Sequence, residues 1–550
     1  MTKAIDNEKI HPLDAKLSMA HFYVAIIALG LGGFAGLLQT LVRSSKVELP
    51  AGITYYQLLT VHGVLLALIL TIFFILGFHL SAVSKTIGPL TKWARFSGWV
   101  GFWTMTVGTA MAALMVLLNE ASVLYTFYAP LQAHPIFYGG LTLVIVGSWF
   151  SGGSLLVTYH KWRKNNKGKS SPLLSFMAVV NTLLWFVATL GVAITVLFQL
   201  LPWSLGWVDS INILASRTLF WYFGHPLVYF WLLPAYMCWY VVIPKIIGGK
   251  IFSDSLARMS FILFLLFSIP VGLHHQLLEP GIDPVWKYIQ VALTFLVVIP
   301  SLMTAFSLFG TFEKYGRSQN ATGLFGWFLK LPWGDARFTV PFIGMVAFVP
   351  AGAGGLVNAS NQLNQVVHNT IWVTGHFHLT LATSVILTFF GISYWLVPHL
   401  TGRILTKKLN KLAIIQGIFW AIGMSIMSGA MHIAGLLGAP RRSSFSTYGE
   451  SAQALEWIPY QIAQAIGGTI LFIGIVLYII IFIQLAFFAP KGNEEFPVGE
   501  SNEDATISLV FENWKLWLGI TAALILFAYT IPFIDIIQNA PPGSKGFKLW

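Results

Sequence analysis

An all-α integral membrane protein, one bundle of about thirteen transmembrane helices forming a single domain over residues 1–550, is the fold this sequence predicts. Three observations predict it. The chain is 56% hydrophobic and only 9% charged, against roughly 25% charged in a soluble domain. Apolar runs long enough to cross about 30 Å of hydrocarbon recur from end to end. Lysine and arginine collect in every second connection, the asymmetry that orients membrane helices. The net charge of +12, which in a soluble protein would suggest nucleic acid, here reflects cations held on one side of a membrane.

The elements follow in order. Met1 to Lys16 is polar and carries Lys3, Lys9 and Lys16, so no cleavable signal is expected and the run 17–43 reads as the first crossing. The second and third runs, 55–83 and 94–118, flank a connection with Lys85 and Lys92, and Arg95 is close by. The fourth, 133–158, leads into HKWRKNNKGKSS, with five basic residues. The fifth and sixth are 174–200 and 213–243, and Lys245, Lys250 and Arg258 follow. The seventh and eighth, 257–278 and 286–311, precede Lys314, Arg317, Lys330 and Arg337. The ninth and tenth, 339–358 and 369–397, precede Arg403, Lys407, Lys408 and Lys411. The last three are 411–433, 457–487 and 512–536. The alternate connections 119–132 and 359–368 have no basic residue. The N-terminus is therefore expected in the cytoplasm and, with an odd count, the C-terminus outside. No internal repeat suggests an inverted-repeat transporter.

A single cysteine, Cys238, excludes an internal disulfide, a CxxCH haem attachment and a thiolate cluster. Any metal must rely on histidine. Of the fourteen histidines, His11, His21, His79, His134, His160, His399 and His432 sit mostly near run ends or in loops, where structural roles suffice. Six others, His62, His225, His274, His275, His376 and His378, fall at one level in the outer half of the membrane, on four separate runs. Ionisable groups at that depth are functional by default.

Spacing sorts them. Residues i and i+2 of a helix point about 200° apart, so His376 and His378 face opposite sides. That suits a helix between two cofactors, each taking one axial imidazole. His62 can meet one cofactor from its other face, closing a bis-histidine electron-transfer haem, and the second haem keeps an open position. Geometry alone leaves open which of His376 and His378 serves which haem. His225, His274 and His275 are three imidazoles, a set that suits copper, zinc or non-haem iron with an exchangeable site. The adjacent pair converges only at a loosened helix end, which Glu279 and Pro280 make plausible.

GHPLVYFWLLPAY at 224–236, HH at 274–275 and TGHFHLT at 374–380 resemble subunit I of the haem–copper oxygen reductases, above all the B family, the ba(3)-type cytochrome c oxidases. The resemblance covers nearly the whole chain. It implies His62 and His378 on a low-spin haem, of b type, and His376 on a high-spin haem, of a or o type. It also implies His225, His274 and His275 on the copper called CuB, with Tyr229 covalently joined to His225. Residues i and i+4 share a helix face, so that phenol can lie beside the metal ligand. Leu227 stands where the A family has glutamate, so the proton route must use hydroxyls. Tyr229, Tyr236 and Tyr240 descend one helix, and Ser301, Thr304 and Ser307 another, matching that family's single proton channel. Arg441, Arg442, His368 and Asn364 correspond to the haem-propionate region, with asparagine replacing the family's acid.

The resemblance further implies a bacterial or archaeal cell membrane, a partner subunit II carrying CuA, cytochrome c as electron donor, O2 as substrate, and proton pumping. No nucleic-acid partner is expected. A nitric oxide reductase, with non-haem iron in place of copper, is the first rival reading. Tyr229 and the absence of extra glutamates near the metal argue against it. A transporter with structural histidines is the second.

Overall fold

The computed structural model describes residues 9–501 and 507–539, so Lys3 of the N-terminal basic set lies outside it. Twelve helices among the described residues are long and apolar enough to cross a membrane. They are α1 (Pro12–Arg43), α2 (Tyr55–Ile87), α3 (Lys92–Leu117), α4 (Pro135–Asn165), α5 (Leu173–Ser204) and α6 (Ile213–Ile247), then α8 (Pro284–Ser318), α9 (Ala336–Ala359), α10 (Ile371–Thr401), α11 (Lys407–Leu436), α12 (Ala452–Phe488) and α13 (Trp514–Gln538). The seventh expected crossing is different. Its helix, α7 (Asp254–Phe267), has only 14 residues.

The sequence explains the early stop. Pro270 has no N–H to continue the ladder and pushes Ile269 out of the helical region. The chain resumes as a short 3-10 turn, Gly272–Gln276, which carries His274 and His275. Gly272 is required there: a Cβ would meet the Trp221 carbonyl oxygen at 2.7 Å and the Tyr529 hydroxyl at 2.6 Å. Without that atom the turn packs directly on α6. The freed donors are served by other helices, Gly272 N–H by Tyr529 Oη at 2.9 Å and Leu273 N–H by Gln290 Oε1 at 2.8 Å. In a low-dielectric interior such donors must find partners.

The centre of the bundle is built from α2, α6 and α10. Buried residues make up 72%, 89% and 83% of their most apolar stretches, against 28% for α9 and α13. A helix apolar on every side belongs inside a bundle, so the three helices that carry four of the six histidines are its innermost. Two of them widen into π-helical turns beside those histidines, Val64–Leu70 after His62 and His378–Val385 beginning at His378. There the Thr383 hydroxyl donates to the His378 carbonyl at 3.1 Å, serving an acceptor that the altered ladder exposes.

The end with the basic connections is tied by buried ions. Glu512, just before α13, accepts from Ser171 N–H and Oγ, each at 2.6 Å, and from the Tyr159 hydroxyl. Arg258 Nη1 lies 3.5 Å from the same carboxylate. The strap before it crosses that end, with Gly499 N–H on the Val241 carbonyl at 2.9 Å.

Candidate metal centre

His225 sits immediately before Pro226, in a helix that carries a second proline at 234. His274 and His275 come to it on the 3-10 turn. One ligand atom from each of the three rings lies within 4.8 Å of the others. His225 Nδ1 is 3.1 Å from His275 Nε2. Two nitrogens bound to one ion at about 2.0–2.1 Å stand about that far apart, so this donor set fits a metal. His274 Nδ1 is hydrogen-bonded to the Val271 carbonyl at 2.5 Å and to Thr294 Oγ1 at 3.0 Å, which turns its Nε2 to the cluster. His275 stacks on Trp221, ring centres 3.6 Å apart and planes 5° from parallel. His225 Nε2 is buried without a partner, and the Tyr229 ring centre lies 5.2 Å from the imidazole.

On α10 the two histidines do face apart. The His378 ring stands opposite that of His62, centres 5.9 Å apart and planes within 10°. Imidazoles holding one iron from both sides keep their centres about 6 Å apart, so the pair fits a bis-histidine haem. Each Nδ1 is hydrogen-bonded to a backbone carbonyl, His62 to Gly32 at 2.9 Å and His378 to Thr374 at 2.8 Å. Both Nε2 atoms are left to ligate. Gly36 makes room for this, since a Cβ there would stand 2.6 Å from His62 Nδ1. The cleft between the rings is lined mainly by apolar side chains, Met424, Met427, Phe472 and Ile475 among them. His376 points the other way, stacked on Trp372 at 6.0 Å and bonded to the Ala351 carbonyl.

Above these rings the connections gather cations. Arg441 Nη2 reaches Asn369 Oδ1 at 2.7 Å, while its Nε is buried with no partner. Arg442 and Arg217 both lie against the Tyr128 ring, 5.1 and 4.8 Å from its centre. Burial and the adjacent Arg442 push Arg441 down to about 10. His368, bonded to Asn364 Oδ1 at 3.0 Å, is pushed down to about 4 by burial and by Arg441, Arg217 and Lys287. Arg217 is paired with Glu279 at 2.7 Å. Arg441 and Arg442 line the same cleft as His62 and His378, with cationic donors to spare, which fits the carboxylates of a haem.

The hydroxyl stripes meet in part. Tyr236 is hydrogen-bonded to Ser301, and Tyr240 Oη donates to Thr304 Oγ1 at 3.0 Å. Ser307 Oγ is buried but joins nothing among the described residues. Phe264 touches both Tyr229 and Tyr236, its ring centre 5.6 Å from the first and 5.4 Å from the second. Ser260 of α7, 3.2 Å from Tyr240 Oη, is a member that sequence reasoning missed. Trp221, Thr294, Arg217 and Glu279 were missed too. Only their contacts across helices single them out.

Residues 16–470 match the family model described as Cytochrome C and Quinol oxidase polypeptide I. The chain is 38% identical to cytochrome c oxidase subunit 1 of Thermus thermophilus, covering 98% of this chain and 97% of that protein. It is 23% identical to quinol oxidase subunit 1 of Bacillus spizizenii, covering 90% and 75%. A solved structure described as a haem–copper terminal oxidase dimer superposes with a TM-score of 0.92 at 37% identity, over 97% of this chain and 95% of the other. With a model matched over most of its length and a full-length relative at that identity, this multi-pass membrane chain belongs to the cytochrome c and quinol oxidase polypeptide I family, as the catalytic subunit I of a haem–copper terminal oxidase.

Proposed function

We propose that this subunit reduces dioxygen to water with electrons from cytochrome c, delivered through a partner subunit carrying CuA, and that it moves protons across the membrane as it does so. The observation that carries this reading is the convergence of His225, His274 and His275, with Tyr229 one helical turn away. In it His225, His274 and His275 hold copper, His62 and His378 a low-spin haem, and His376 a high-spin haem of a or o type. Arg441 and Arg442 receive propionates, with His368 and Asn364 behind them. Bound there, iron and copper supply the redox chemistry.

The chain's own residues supply the rest. The carbonyls on His62 and His378 Nδ1 fix ring orientation and raise ligand basicity. Tyr229 offers a phenol proton, and an electron, at the metal. The unpartnered His225 Nε2 beside its ring supports the covalent link between them. Tyr236, Tyr240, Ser301 and Thr304 hold transferable protons on their hydroxyl oxygens, with Ser260 as a further contact. Phe264 packs against both Tyr236 and Tyr229, and on this reading a further proton carrier joins those two phenols.

Metal and haem analysis of the purified complex, with oxygen uptake on reduced cytochrome c, tests this. Two haems per chain, one copper beyond the CuA pair and cytochrome-driven uptake are expected. An extra non-haem iron in place of that copper would favour nitric oxide reduction, and a haem-free preparation would end the reading.

A further inference from the structure

The connection from α8 to α9 carries apolar side chains where a loop at an aqueous face carries polar ones. Its segment LFGWFLKLPW at 324–333 holds one charge, Lys330. Leu324, Phe325 and Leu329 are 73%, 71% and 79% exposed, on and beside the 3-10 turn Gly326–Lys330. The run is far shorter than the roughly 20 residues a crossing takes. Single apolar residues on a surface need no explanation, whereas a cluster marks an interaction site.

The other side of the loop is fastened to the bundle. Trp327 stacks on Phe312 of α8, ring centres 6.5 Å apart and planes 16° from parallel. Gly316 permits that approach, since a Cβ there would collide with Trp327. Phe328 meets Trp333 at 4.5 Å and Phe342 of α9 at 6.0 Å. The backbone is served from within. Arg317 Nη1 donates to the Ala321 carbonyl at 3.1 Å and to the Gly323 carbonyl at 2.8 Å. The indole of Trp327 donates to the Leu324 carbonyl at 3.0 Å, and that of Trp333 to the Phe328 carbonyl at 2.9 Å. Water would supply such donors freely and hydrocarbon supplies none, so a loop that brings its own is fitted for lipid.

Charge identifies which lipid. Glu313 and Asp335, the acids that flank the loop, are paired with Arg317 and Arg337 at 3.0 and 2.7 Å. Lys314 and Lys330 remain as the excess, both exposed. Apolar anchors within a rim of lysines match an acyl layer beneath negatively charged headgroups.

We propose that residues 321–333 form a foot that dips into the bilayer interface at the end of the bundle with the basic connections. Leu324, Phe325 and Leu329 enter the acyl chains, and Lys314 and Lys330 meet the phosphates of anionic phospholipid. The foot ties α8, the helix of Ser301 and Thr304, to one leaflet.

Cys238 is buried, so a nitroxide label on this chain goes to an introduced surface cysteine, and the unsubstituted oxidase labelled in parallel gives the background. Leu324→Cys, Phe325→Cys and Leu329→Cys are labelled in the complete purified oxidase, in nanodiscs of phosphatidylcholine with and without phosphatidylglycerol. Power saturation compares collisions with oxygen, which concentrates in lipid, and with a water-soluble nickel chelate. An acyl-labelled phospholipid and a soluble nitroxide are the references. Oxygen collisions are expected to exceed nickel collisions at all three positions, and the excess to grow with phosphatidylglycerol. Lys314→Gln together with Lys330→Gln should abolish that growth. A nickel excess would place the loop in water, and shielding from both reagents would place it under a protein partner; either overturns the proposal. An excess indifferent to phosphatidylglycerol overturns the anionic preference. The unsubstituted oxidase gives a reading that needs no variant: a phosphatidylglycerol with a photoreactive acyl chain should leave adducts on peptides from 321–333, and their absence counts against the foot.

Discussion

His225 Nδ1 and His275 Nε2 stand 3.1 Å apart although 50 residues separate them in the chain. The first comes from a helix with two internal prolines and the second from a 3-10 turn that follows the end of α7. Their separation is that of two ligands on one ion. His275→Ala is therefore expected to lose the copper beyond the CuA pair while keeping the low-spin haem. Elemental analysis beside a reduced spectrum checks it, and retention of full copper would exclude His275 as a ligand.

His62→Ala or His378→Ala should remove the low-spin spectrum, since each takes away one side of a pair of rings 5.9 Å apart. His376→Ala should leave that spectrum and abolish carbon monoxide binding at the open haem. Exchange of these two phenotypes between His376 and His378 would reverse their assignment.

Thr304→Val keeps the shape of the side chain and deletes the hydroxyl that accepts from Tyr240 at 3.0 Å. Turnover should fall by about 10-fold or more, equivalent to about 1.4 kcal/mol on the barrier, with haem content intact. Tyr229→Phe should cost more, because it removes a reactant as well as a relay. Ser260→Ala should be milder than either, since Tyr240 retains Thr304. Steady-state oxygen uptake ranks the three, and near-normal rates in both Thr304→Val and Tyr229→Phe would require another proton entrance.

Gly272→Ala forces a methyl against a backbone carbonyl that cannot step aside. Overpacking of this kind costs about 1–3 kcal/mol. The turn should shift with its two histidines, so copper occupancy should drop while the low-spin band persists. Equal loss of both would mean global unfolding, and no loss of copper would show that the turn tolerates displacement.

The membrane class and twelve of the crossings were legible because burial in lipid writes itself into composition and helical spacing. His376 and His378 at i and i+2 already imply opposite faces, and the structure sets them so. The seventh crossing was not legible in full. Its apolar run continues through Pro270, and a hydropathy pattern does not register where an N–H is missing. The hydroxyl route was legible as two stripes, but Ser260 joins it from a third helix and Ser307 stays apart. Such facts depend on how helices rotate against one another.

Tyr529 belongs to α13, and its hydroxyl is the acceptor for Gly272 N–H, two residues from the histidine pair. Gln290, which serves the next N–H, also donates to the Ala528 carbonyl of that helix at 2.9 Å. The turn that carries His274 and His275 is thus finished by a helix 257 residues further along the chain. A nascent polypeptide that has delivered α1–α12 has His225, His274 and His275 but lacks the Tyr529 part of the brace that holds the last two. On the reading that these three imidazoles hold copper, the site is braced in full only once α13 is in place, and loss of α13 is expected to impair metal loading before it impairs turnover.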